Sequence, residues 1–196
     1  MKIKFLTTVL LSFIAFFSVK AQNNSELDKA IVKTITALNK QDFSTINDMI
    51  LKDFGVAILF RRGVNDNLAF VDNLDKNQPI PEYLPYDYLG NVNVNSKINH
   101  ETLPKFDCDT EKFTKKNGIY CDVASKYNDV SETALSENKY VDVDWKPKHI
   151  AKMKEIEKNS RKIMAYSDEG VLVFYLTFYK NKWYFTMLDR FEVCSA

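Results

Sequence analysis

The sequence predicts an α+β domain organised around a carboxy-terminal antiparallel meander, and three observations predict it. Val171 to Val193 reads VLVFYLTFYKNKWYFTMLDRFEV, two alternating runs of β-branched, aromatic and aliphatic residues broken only by Lys180-Asn181-Lys182, with no Pro or Gly inside. That is a strand–turn–strand pattern. Lys162 to Tyr166, turned at Asp168-Glu169-Gly170, adds a preceding strand. Near the other end Leu27, Ile31, Ile35 and Leu38 recur at spacings of three and four, the signature of an amphipathic helix.

The first residues place basic Lys2 and Lys4 before an apolar run from Phe5 to Val19 and a small residue at Ala21. This is the layout of a secretory signal cleaved after Ala21. The run of about 14 to 15 residues is short for ~30 Å of hydrocarbon at 1.5 Å per residue. Residues 1–21 are therefore expected to be a signal peptide and 22–196 a single α+β domain, exported to the periplasm or the extracellular space. No Cys stands at the cleavage point to carry a lipid anchor.

Ser25 with Asp28 three residues on reads as a capping signature for the first helix, which should end near Asn39. A second, short helix is expected from Ser44 to about Leu51, capped by Ser44 or Asp42. Val56 to Phe60 then reads as a strand closed by Arg61-Arg62-Gly63. From Asn65 to His100 the chain is rich in Asn, Asp and Pro and reads as one long loop, in which Pro79, Pro81 and Pro85 alternate with Tyr83, Tyr86 and Tyr88. A cover over the core is its expected role. Asn117-Gly118 is a tight turn into the strand Ile119-Tyr120-Cys121. SETALSENKY is ambiguous, whereas Pro147 sets the first turn of a helix to Lys158 with Ile150, Met153 and Ile156 inward. In the final hairpin a two-residue turn at Asn181-Lys182 would put Phe178 opposite Phe185, Leu176 opposite Met187 and Leu172 opposite Phe191.

Charge is balanced, 27 basic against 26 acidic residues, and loss of Lys2, Lys4 and Lys20 with the signal would make it 24 against 26, a net of −2. Without clustered Lys and Arg, nucleic acid is not an expected partner. Nor is a membrane once the signal is removed. Cys108, Cys121 and Cys194 all lie in the exported part, where disulfides persist. Cys108 and Cys121 flank the Asn117-Gly118 turn and are the expected pair, with Cys194 a competitor for either. A zinc site would need four ligands, and His100 and His149 are isolated. The pairs Asp107/Asp109 and Asp142/Asp144 lack the further oxygen ligands and Gly spacing of a calcium loop.

The helices LDKAIVKTITALNKQDFSTINDMI and the hairpin YKNKWYFTMLDRF, joined through GVAILFRRG, resemble the nuclear transport factor 2-like (cystatin-like) superfamily, as a secreted bacterial member. The resemblance covers the two ends of the mature chain and leaves the Pro- and Tyr-rich loop unmatched. It implies a cone: a strongly curved antiparallel sheet with the N-terminal helices packed on one face and a pocket between them. Such pockets serve isomerases and dehydratases that use Asp and His, and equally non-catalytic binding modules. No catalytic pair of that family maps onto this sequence.

Asp189, late in the last strand on the face of Phe185 and Met187, is the acid–base candidate, since a carboxyl among aromatics can have a raised pKa. Its bland alternative is an ion pair with Arg61, Arg161 or Arg190. Arg61 or its neighbour could hold an anion bidentately, but adjacent strand residues point to opposite faces, so only one can face a pocket. With Tyr83 and Tyr86 of the loop and Tyr175 and Tyr184 of the hydroxyl-bearing sheet face, Arg61 completes the expected ligand-binding set. The function expected is an exported, non-catalytic binding or interaction domain with a small-molecule pocket. The alternative is a small secreted enzyme, of isomerase or hydrolase type, using Asp189. No cofactor or metal is expected. The partner is a small molecule or a protein, with dimerisation left open.

Overall fold

Helix α1, residues 25–39, opens the part of the chain that the computed structural model describes: residues 25–89, 92, 97–168, 170–190 and 194. The expected signal peptide and Phe191 lie outside the described residues. Helix α1 turns Leu27, Ile31, Ile35 and Leu38 inward, each no more than 2% exposed. Helix α2 (Phe43–Asn47) is started by Asp42, whose carboxylate accepts from Thr45 N at 3.0 Å. That bond satisfies a backbone donor the first helical turn leaves open.

Strands β1 (Val56–Arg62) and β2 (Asn65–Val71) form a hairpin. The long loop therefore begins seven residues later than the polar composition suggests. Asn65 and Asn67 pair with Arg62 and Phe60 on a sheet edge, where polar side chains meet water, and Gly63 at φ 66 reverses the chain. Gly55, at φ 78, is required in another way. A Cβ there would lie 2.7 Å from the Val71 carbonyl oxygen.

After the loop come the short strands β3 (Ile98–Asn99), β4 (Phe106–Asp107) and β5 (Lys112–Phe113), then β6 (Gly118–Asp122). SETALSENKY resolves as helix α3 (Asp129–Tyr140), and α4 (Pro147–Lys158) has Pro147 in its first turn as expected. Strands β7 (Ser160–Ser167), β8 (Gly170–Tyr179) and β9 (Lys182–Asp189) form the meander.

The seven-stranded sheet runs β2-β1-β9-β8-β7-β6-β3. It is mostly antiparallel, but β1 joins β9, and β3 joins β6, in parallel. The chain enters the sheet beside its own last strand, with Phe185 N donating to Met49 O at 2.8 Å and Arg190 N to Leu59 O at 2.7 Å.

The turn between β8 and β9 is Lys180-Asn181, both at positive φ (45° and 62°), one residue earlier than the sequence reading. Left-handed conformations at both central positions match the twist of a tight hairpin. Phe178 therefore faces Trp183, and Leu176 faces Phe185 rather than Met187. A bulge after Leu176–Phe185 puts Tyr175 opposite Met187 and moves Asp189 to the face of Met187, not that of Phe185.

Both faces of the sheet are covered. Phe174, Leu176, Phe185, Leu188, Val56 and Ile58 pack against α1, α2 and the loop residues Leu74, Tyr86, Leu89 and Val92. On the other face Tyr175, Met187, Ala57 and Leu59 pack against Val130 and Ala134 of α3 and Met153 and Ile156 of α4. The N-terminal helices thus take one face as expected, and a second helical layer, unforeseen because α3 was ambiguous, takes the other.

The loop is a cover held by Arg190. Its guanidinium donates to the carbonyls of Ile80 (3.0 Å), Leu84 and Pro85 (3.1 Å), and lies 4.9 Å from the Tyr86 ring centre. The disulfide joins Cys108 to Cys194, not Cys108 to Cys121. Cys121 lies inside β6, fully buried in the core, with its thiol pushed up to about 12 by burial. A residue whose side chain is committed to the interior cannot reach the exposed turn that holds Cys108.

Candidate functional site

Strand β7 carries Lys162 onto the α3 side of the sheet, directly across from Tyr175. Its ammonium lies 3.0 Å from the Asp189 carboxylate and 3.1 Å from that of Asp129, the first residue of α3. The Tyr175 hydroxyl donates to the same Asp129 oxygen. Burial alone would lower the Lys162 pKa, but the two carboxylates outweigh it and raise the value. Burial raises that of Tyr175, reinforced by Asp129 and Asp189. Tyr127 packs edge-on against Tyr175 and donates to Asp122 at 2.9 Å. Asp122 also accepts from Ala124 N, Ser125 N and the Ser125 hydroxyl. Burial opposes ionisation there, and these four donors override it, so its carboxyl stays below the usual range.

This network settles the surroundings of Asp189. Its side chain is 8% exposed and bound to a lysine, where the sequence suggested Arg61, Arg161 or Arg190. Arg61 pairs with Asp66 at 2.7 Å, while Arg190 serves the loop.

The expected ligand-binding residues are not brought together. Arg61 and Tyr83 meet at the outer end of β1, where the Tyr83 hydroxyl donates to the Arg61 carbonyl at 2.6 Å. Tyr86 is 2% exposed inside the loop cover. Tyr175 is wholly buried on the opposite face, and Tyr184 packs beside it against the second core cluster.

A cleft of about 240 Å³ lies instead where β2, the turn before β1 and α4 meet, lined by Asp53, Phe54, Phe70, Trp145, His149, Lys152 and Met153. Phe54 and Phe70 stand at 89° with centres 5.2 Å apart, and Phe70 meets Trp145 at 5.6 Å. These are favourable edge-to-face distances. Trp145 is fixed by more than packing. Its indole N–H donates to Glu137 at 2.6 Å, and its backbone N–H and carbonyl are bracketed by the Asn138 side chain at 2.7 and 2.9 Å. The other Glu137 oxygen accepts from Leu68 N on β2 at 2.8 Å. One buried carboxylate so ties α3, the edge strand and the cleft wall together.

His149, isolated in the sequence from any other candidate ligand, stands on the rim one turn from Lys152. None of these lining residues stood out from sequence as a ligand-binding candidate: Met153 reads only as an inward residue of its helix and His149 only as an isolated histidine. The available signal was Trp145, a large aromatic among the acidic and basic residues of DVDWKPKH. Compared with family models, with curated proteins and with solved structures, the chain matches none.

Proposed function

We propose that this is an exported, non-catalytic binding domain whose ligand seat is the cleft between Phe54, Phe70, Trp145 and α4. The observation that carries it is the preorganised aromatic wall: three half-buried rings, Phe70 set edge-to-face against both Phe54 and Trp145, with Trp145 pinned by Glu137 and Asn138. Rigid aromatics bring large contact area at small entropic cost on binding. The cleft volume falls just below the roughly 300–1,000 Å³ of drug-sized sites, which suits a small molecule. Against the enzyme alternative stands the environment of Asp189. General acid–base work needs a carboxyl that exchanges its proton with a substrate, and this one is buried against a lysine.

The likeness to the nuclear transport factor 2-like cone belongs to the same proposal. It is supported by two N-terminal helices on one face of a mostly antiparallel sheet that ends in an aromatic hairpin. Export is supported by the signal-like leader and is compatible with the Cys108–Cys194 bond.

The test is a titration of the folded domain with a small set of soluble aromatic fragments, followed by amide and indole NMR signals. Shifts grouped on Phe54, Phe70, Trp145 and α4, and lost in Trp145→Ala, are expected. Turnover of any substrate that Asp189→Asn abolishes would replace the binding module with an enzyme.

A further inference from the structure

We infer that the cleft takes a small zwitterion with an apolar body, the chemistry of a free α-amino acid bearing an aromatic side chain. This rests on the cleft being the ligand seat. Phe54, Phe70, Trp145 and Met153 offer carbon and ring surface, which selects an aromatic or bulky aliphatic group. The polar groups on the rim are of both signs and come from separate elements. Asp53 comes from the turn ahead of β1, and His149 and Lys152 from consecutive turns of α4. Residues three apart share a helix face, so the imidazole and the ammonium act on the same side.

A singly charged ligand meets only half of this arrangement and brings its charge near a like one, as a carboxylate would near Asp53. A zwitterion satisfies both halves, its ammonium toward Asp53 and its carboxylate toward Lys152 and His149. Lys152 is held by Glu155 at 3.0 Å, but that pair is substantially exposed, with side chains 33% and 56% accessible. Exposed pairs of this kind contribute ~0–1 kcal/mol, so exchange for a ligand carboxylate is cheap. The Trp145 N–H is already engaged by Glu137, which leaves the ring rather than its polar handle for the ligand.

The experiment compares phenylalanine, 3-phenylpropionate, phenethylamine and benzyl alcohol by NMR titration of the intact domain. It reads the Trp145 indole signal, assigned with Trp145→Phe. Phenylalanine is expected to bind at least about tenfold more tightly than either singly charged analogue, a difference of about 1.4 kcal/mol. Asp53→Asn should weaken phenylalanine and phenethylamine but spare 3-phenylpropionate, and Lys152→Met should do the reverse for the two analogues. If benzyl alcohol or a singly charged analogue equals phenylalanine, the zwitterion inference is overturned and the cleft stands as a ligand seat. If none of the four moves the Trp145 signal at millimolar concentration, both fall. Asp53 is an exposed turn residue, and the ligand series by itself needs no variant.

Discussion

The two faces of the sheet are built on different principles. The face under α1, α2 and the loop is almost wholly aliphatic and aromatic, with Ile31, Ile35, Ile46, Phe174, Leu176 and Phe185 all fully buried. The face under α3 and α4 mixes its apolar contacts with Lys162, Asp129, Asp189, Tyr175 and the hydroxyl chain Ser160–Thr177–Thr186, spaced 2.6 and 2.7 Å. Apolar burial is non-directional and rewards any close-packed arrangement. Polar groups out of water must each find a partner in one geometry. The first face supplies the bulk of the stability, and the second fixes where α3 sits. It is on the margin of the second face that the cleft opens.

The largest expected effect tests the first face. Phe185→Ala should cost about 3–5 kcal/mol in urea unfolding, because Phe185 is wholly enclosed and its loss leaves a void. Phe178, which the sequence reading sets opposite Phe185, only packs against the edge of that cluster and should cost less.

Next comes the ion network. Lys162→Met removes the ammonium that Asp129 and Asp189 share in a nearly closed site, and a loss of about 3 kcal/mol is expected. Adding Asp189→Asn should recover part of it, since one of the two carboxylate charges that faced Lys162 is then gone. A double-mutant cycle measures both. If Lys162→Met exceeds Phe185→Ala, the division of labour between the faces is wrong. The Lys162 pKa is raised in the fold, so its contribution is fully present below the unfolded value near 10.4 and is lost as pH climbs through the folded one.

The smallest effect concerns Glu157 of α4. One of its oxygens accepts from Val130 N at 2.7 Å and Ser131 N at 3.1 Å, closing the start of α3. Burial raises its pKa. The folded state therefore holds this proton more tightly than the unfolded chain, and stability falls as pH rises from about 4.3 through the folded value. Glu157→Gln keeps an acceptor for the two N–H groups and should remove that slope, with a change near neutral pH within about 1 kcal/mol. An unchanged pH profile between pH 4 and 7 would refute the assignment.

Much of this fold is legible in the sequence, because helix α1, α4 and the β7–β9 meander obey local periodicity. The hairpin register was not, since the bulge and the left-handed Lys180-Asn181 pair are backbone choices that alternation cannot distinguish from a turn one residue later. Strand β2 was hidden by Asn65, Asp66 and Asn67, residues suited to a turn that here sit on an edge. The disulfide was missed because nearness in sequence says nothing of which face Cys121 takes inside β6. The cleft was illegible for a stronger reason. Phe54, Phe70 and the Trp145–His149 stretch come from three separate segments, and only tertiary packing makes them neighbours.

The bond from Leu68 N to Glu137 also bears on how copies of this chain meet one another. Strand β2 borders the sheet, and an outer strand with idle amides is a template for a second chain to add to. Here an amide in the middle of that border already spends its hydrogen on an acidic side chain from α3. An invading strand would have to expel a carboxylate that is 3% exposed and, with it, release the indole that the same group holds. A single glutamate thereby guards one border of the sheet and holds one wall of the cleft.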